Sequence, residues 1–123
     1  MNYKKIVDKI VAKYKGKYEF IPTVDVQSFA LPRNNIIVLD LNMWQNPNVF
    51  FIFTILHEIG HCETFEPHQI KPTREFLATQ WAIKELNYLK LQLSDEHKKA
   101  WQDYIDSFAT EKNKHKYKLD WEA

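Results

Sequence analysis

The sequence predicts an α+β domain, in which a small antiparallel sheet and an N-terminal helix pack against three further helices. Three observations carry this prediction. Short apolar runs punctuated by Pro22 and Pro32 fall together between Lys17 and Leu41, which reads as two or three strands. A much longer apolar run follows from Val49 to Leu56. After it, apolar residues recur at helical spacing twice more, behind Thr73 and behind Ser94. At 123 residues and 45% hydrophobic composition, the chain suffices for one domain with a real core.

Each element has a local reason. Tyr3–Lys15 places Ile6, Val7, Ile10, Val11 and Tyr14 on one helical face and Lys4, Lys5, Lys9 and Lys13 on the other. Such a lysine face is ordinary solvated surface or, less commonly, the footprint of an acidic partner. The strands Lys17–Ile21 and Val24–Ala30 follow, with the prolines limiting their pairing. Asn35–Leu41 is the clearest strand and the candidate sheet edge for an extended peptide. Asn46 then reads as a helix cap and Pro47 as first helical residue, opening a helix of roughly 18 residues to Thr64. Apolar nearly all round, that helix belongs in the core. It is too short in apolar residues to span a membrane, which takes roughly 20. Gly60, one of two glycines, costs about 1 kcal/mol there relative to alanine. It is either a defect or the point where something packs closely. Thr73 reads as the cap of the next helix, with Glu75 in its first turn and apolar positions running to about Lys90. Ser94 caps the last helix, with Asp95 and Glu96 favouring its positive end. From about residue 112, Lys112, Lys114, His115, Lys116 and Lys118 form a basic tail that is expected to be mobile.

Inside the apolar helix lies His57-Glu58-Ile59-Gly60-His61, an HExxH sequence. Residues four apart on a helix share a face, so both imidazoles can point at one ion. Neutral imidazole suits Zn²⁺, and the glutamate after the first histidine is placed to take a proton from water held by that ion. With five His and nine Glu, chance alone would produce the pattern in roughly one such chain in seventy. The surrounding residues must therefore carry the rest.

A catalytic zinc takes three protein ligands and leaves a position for water. Glu63 faces away from the pair. His68 lies close to the spacing of three-histidine sites, but Thr64 and Pro67 stand where that pattern needs glycine and histidine. Glu66 sits beside Pro67 in a turn. Glu75 is better placed, as a carboxylate opening a second helix packed on the first. The rival reading is that it only favours the helix N-terminus. Thr79, one turn on, is either a hydrogen-bonding support for that ligand or an exposed residue. Cys62 diverges from His61 on the helix and reads as packing.

These segments together resemble the ImmA/IrrE family of metallopeptidases, a gluzincin type with a zincin-like fold. The resemblance spans roughly residues 34–90. It rests on the strand Asn35–Asn42, the HEIGH helix, and Glu75-Phe76-Leu77-Ala78-Thr79-Gln80-Trp81-Ala82. It implies His57, His61 and Glu75 as zinc ligands and Glu58 as general base. Thr79 and Trp81 depart from the family's usual Asn and Phe, and the family's usual Leu-Leu-Met-Pro ending is absent. The implied activity is hydrolysis of a specific peptide bond in a partner protein. For several members that partner is a helix-turn-helix transcriptional repressor of a mobile element or stress response.

Two other readings remain. One is a zinc-binding interaction module that cleaves nothing, which would have no use for Glu58. The other is a SprT-like protease acting around DNA, which would want a third histidine and a more basic surface. A formal charge of +1 gives no pull toward nucleic acid or membrane, so direct nucleic-acid binding is not expected. One cysteine allows no intrachain disulfide, and the lysine-rich start is unlike a signal peptide, so the expected location is cytoplasmic. Tyr88, His97, Tyr104 and His68 could each stabilise an oxyanion, and sequence does not rank them.

Overall fold

The computed structural model describes all 123 residues. It is an α+β fold of five helices and one three-stranded sheet. Helix α1 (Tyr3–Tyr14) is capped by the Asn2 side chain, which accepts from the Lys5 N–H, and buries Val7, Ile10 and Tyr14 as its spacing predicts.

The sheet departs from expectation. Strands β1 (Glu19–Thr23), β2 (Phe29–Leu31) and β3 (Ile36–Asp40) lie in the order β1-β3-β2. β2 pairs antiparallel with β3, but β1 pairs parallel with it, so the sheet is mixed rather than antiparallel. The turn Pro32–Asn34, ending in Asn35 at φ 55°, reverses the chain between β2 and β3. β1 feeds β2 first and so meets β3 from its far side, running the same way. Ile37, Val38 and Leu39 are all buried, as a strand covered on both faces requires. The segment Asn35–Leu41 is therefore the sheet's centre and not its edge. The edges are β1, where Pro22 lacks an N–H, and β2.

Asp40 ends β3 by accepting from the N–H groups of Asn42 and Met43, which starts the short helix α2 (Leu41–Gln45). Asn46 closes α2 by donating to Asn42 O and so cannot open the next helix. The cap is Asn48, bonded to the Phe51 N–H at 2.8 Å, and α3 (Val49–Glu63) is correspondingly shorter than expected. Helix α4 (Lys71–Tyr88) begins two residues before Thr73, with Ile70 as its cap and Pro72 in the first turn. Glu75 thus sits in the second turn, beyond the orphan N–H groups of the helix start.

α3 is the core, with Ile52, Phe53, Ile55 and Ile59 fully enclosed. It packs chiefly on α4, and Gly60 is the reason they come so close. A Cβ at Gly60 would overlap the Ala78 carbonyl oxygen and lie 3.1 Å from its carbon. Close packing is therefore the correct account of this glycine. Helix α5 (Asp95–Asp106) is capped by Ser94 as predicted.

The C-terminal segment is not loose. Gln80 exchanges two hydrogen bonds with the Asp120 backbone, at 2.8 and 2.9 Å. Gln102 bonds Tyr117 O and the Leu119 N–H, and Asn87 donates to Trp121 O and Ala123 O. Leu119 and Trp121, just after the last of the basic residues, pack on the core, which composition alone obscures. No helix is long and apolar enough to cross a membrane.

Candidate metal centre

The i, i+4 spacing on α3 and the Gly60–Ala78 contact bring three side chains from two helices together. His57, His61 and Glu75 each offer a ligand atom, all within 4.8 Å of one another. His61 Nε2 lies 2.8 Å from Glu75 Oε2, and His57 Nε2 lies 3.8 Å from Glu75 Oε1. His57 and Glu75 are buried and His61 nearly so. Burial alone would raise the Glu75 carboxyl. The imidazole of His61, the Tyr104 hydroxyl and the more distant His57 outweigh it and hold the group at about 2. Glu75 is therefore ionised throughout the neutral range.

The group fits a metal ion on one further observation. His57 Nε2 is buried and has no hydrogen-bond partner. A buried imidazole nitrogen left unpaired carries a desolvation cost of about 1–3 kcal/mol. A cation between the three residues would remove that cost. Two imidazoles and a carboxylate form the donor set of sites that keep an open position.

Glu58 stands outside the ligand set. It lines the same cleft with its Oε2 3.7 Å from His57 Nδ1, beyond hydrogen-bond reach. The cleft has a volume of about 770 Å³ and is walled by α3, α4, α5, β2 and its approach, and α2.

The other candidates resolve clearly. His68 and Glu66 are exposed in the turn between α3 and α4 and are not part of the group. Thr79 is fully buried, but its hydroxyl donates to the Glu75 backbone carbonyl at 2.7 Å and does not reach the carboxylate. It supports the turn of α4 that carries Glu75. Cys62 packs against the core, and burial pushes its thiol up to about 11, helped by Glu58 and Glu63. It is no thiolate ligand.

The carboxylate is oriented by a residue that sequence left unranked. Tyr104 on α5 donates to Glu75 Oε1 at 2.7 Å, and burial together with that bond pushes its phenol well above the usual range. Of the four oxyanion candidates only Tyr104 lines the cleft, whereas Tyr88 is 81% exposed and His97 packs at a tilt against Phe50. Trp101, one turn ahead of Ile105 on α5, packs its ring 4.8 Å from His57. The i, i+3 pair Trp101 and Tyr104 on a helix is a visible signal, but nothing local says where that helix docks.

Comparison with known proteins adds no constraint: no family model, no curated protein and no solved structure matches the chain.

Proposed function

We propose that this chain is a zinc-dependent metallopeptidase of zincin-like fold, of the gluzincin kind its sequence resembles in the ImmA/IrrE family. The observation that carries the reading is the buried, unpartnered His57 nitrogen beside His61 and Glu75, with Glu58 next to them on an open cleft. His57, His61 and Glu75 would hold the ion. Bound there, zinc supplies a Lewis acid for a peptide carbonyl and makes water acidic enough to lose a proton near neutral pH. Glu58 takes that proton at its carboxylate and returns it to the leaving amine. Tyr104 gives its one O–H to Glu75 Oε1 and so keeps that carboxylate ionised and oriented.

The substrate is a segment of a partner protein, laid extended along the cleft. β2 replaces β3 as the strand to which it adds, because β2 is the free edge and lines the cleft. By family resemblance, the partner is a helix-turn-helix repressor in the cytoplasm, of a mobile element or stress response. A non-catalytic zinc module would leave Glu58 without a task. A SprT-like site would need a histidine that His68 does not supply.

Co-expression with the repressor encoded nearest the gene tests this reading. One discrete cut is expected, absent with Glu58→Gln or a chelator, and Glu58→Gln should lower turnover by about 10² or more while keeping its metal. Unchanged turnover in that variant rules out the mechanism. Equal degradation of casein would remove the regulatory substrate and leave the peptidase.

A further inference from the structure

The cleft has two unlike lips. On α4, Lys71, Arg74 and Glu75 stand at i, i+3 and i+4, so two cations share a face with the carboxylate of the metal group. Both line the cleft. Neither takes part in any of the chain's ion pairs. The Lys71 ammonium lies 4.9 Å from the centre of the Phe108 ring. That ring packs edge-on against Tyr104, also at 4.9 Å, and Tyr104 bonds Glu75. The cation is thus moored to the metal-side wall through two aromatic rings and not by an acid.

Local helix energetics argue against this choice of residues. A helix start favours acids and disfavours cations. α4 has no acid in its first turn and no side-chain cap, yet it carries Lys71 and Arg74 there. A local preference broken in this way, with no acid paired to either cation, is expected where a residue serves function. The other lip, formed by β2, its approach and α2, carries Phe29 and Met43, with Phe50 beside them at the start of α3, and its neutral polar residues are Gln27 and Ser28. Its one acid, Asp40, is occupied in capping α2.

We infer that Lys71 and Arg74 receive a carboxylate of the substrate while the facing lip takes an apolar side chain. The nature of the ligand as a peptide rests on the peptidase reading. The guanidinium offers a planar fork to a carboxylate and the ammonium a point charge. That carboxylate is an Asp or Glu side chain near the cut bond, or the C-terminus of a peptide cut close to its end.

The test uses the full zinc-loaded chain and a defined mixture of synthetic peptides, each with a free and an amidated C-terminus, with cuts read by mass spectrometry. The Lys71→Glu/Arg74→Glu double variant is run beside it. Anisotropy of labelled peptides differing only in Glu against Gln is measured on Glu58→Gln protein. Acidic residues should be enriched at one fixed position, with kcat/KM favouring Glu over Gln about tenfold, the scale of one hydrogen bond to a charged group. The double variant should reverse the preference toward Lys or Arg while keeping its metal and melting temperature, since acids suit a helix start. A preference that survives amidation assigns the carboxylate to a side chain, and one that vanishes assigns it to the chain end. Cuts indifferent to charge, or a preference the double variant leaves unmoved, overturn the inference while the peptidase reading stands. If nothing is cut but binding still prefers Glu and reverses in a variant that also carries the double change, only the peptidase reading falls. If nothing is cut and binding shows no such preference, the inference falls too.

Discussion

Two glutamates in this chain have nearly the same partners and very different chemistry. Glu63, at the end of α3, accepts from Lys17 Nζ at 2.6 Å and from the Tyr18 hydroxyl at 2.7 Å. Glu75 lies 2.8 Å from His61 Nε2 and accepts from the Tyr104 hydroxyl at 2.7 Å. Both carboxyls are held below their usual range although burial pushes each the other way. The difference lies in the nitrogen. A lysine ammonium has three donors and no lone pair, so the Glu63 group is complete as an ion pair tying the start of the sheet to α3. An imidazole can shed its proton and offer a lone pair. Beside Glu75 the Nε2 of a second imidazole is buried with nothing bonded to it. A buried carboxylate with a phenol and a basic nitrogen is therefore no sign of a metal centre. The Glu75 group differs in that an unpartnered imidazole nitrogen converges with a second imidazole and the carboxylate.

The sharpest way to break this comparison is to remove a ligand from each group. Glu75→Ala or His57→Ala should weaken zinc binding by at least about 100-fold, beyond the range seen for loss of outer hydrogen-bond partners. Glu63→Ala and His68→Ala should leave affinity unchanged in the same chelator competition. Equal losses from Glu63→Ala would mean that metal binding only reports general stability.

The next effect comes from the contact that brings the two helices together. Gly60→Ala forces a methyl against the Ala78 carbonyl, overpacking that costs about 1–3 kcal/mol, offset by about 1 kcal/mol of better helix propensity. A net loss of up to about 2 kcal/mol in denaturant unfolding is expected. A drop in zinc affinity should accompany it, because the backbone that carries Glu75 must retreat. Retained affinity with lost stability would show that Glu75 tolerates displacement of α4.

Much of this was legible in the sequence where the physics is local. The Ser94 position suits a cap because a cap acts within three residues, and the i, i+4 histidines need only a helix to converge. The α3 start was misplaced by two residues because Asn46, Pro47 and Asn48 offer two good caps, and α2 uses the first. The parallel pairing of β1 was out of reach, since both edges of β3 look alike in sequence. Tyr104 was unranked because it meets Glu75 across 29 positions, through an α5 that Gln80, Asn87 and Gln102 fasten by way of the C-terminal segment. The lysines of that segment outweigh Leu119 and Trp121 in composition, although those two do the packing.

Smaller effects are expected from the two phenols. Tyr104→Phe removes the bond that orients Glu75 and should lower zinc affinity about 10-fold to 100-fold, the usual scale for a hydrogen-bond partner of a ligand. Tyr18→Phe removes the matching bond to Glu63 and should cost about 1 kcal/mol of stability with no change in metal affinity. If both variants behave alike, the two carboxylate groups are equivalent and the contrast drawn between them fails.

The smallest effect concerns pH and Glu63. Burial tends to raise this carboxyl, but the bonds from Lys17 and Tyr18 prevail and its folded pKa is lowered. Its contribution to stability is then fully present above the unfolded value of about 4.3 and is lost as pH falls through the folded value. The Lys17 side chain is 62% exposed, so solvent screens the pair and the contribution should stay below about 1 kcal/mol. Glu63→Gln keeps an acceptor for Tyr18 and removes only the charge. The stability gap between wild type and this variant should therefore be small at neutral pH and close as pH falls through the folded value. The measurement belongs on metal-free protein, so that pH-dependent loss of a bound metal does not add to it. A gap that stayed constant throughout the acid titration would assign the Glu63 contribution to packing instead of charge. The contrast with Glu75 would then rest on the unpartnered His57 nitrogen alone.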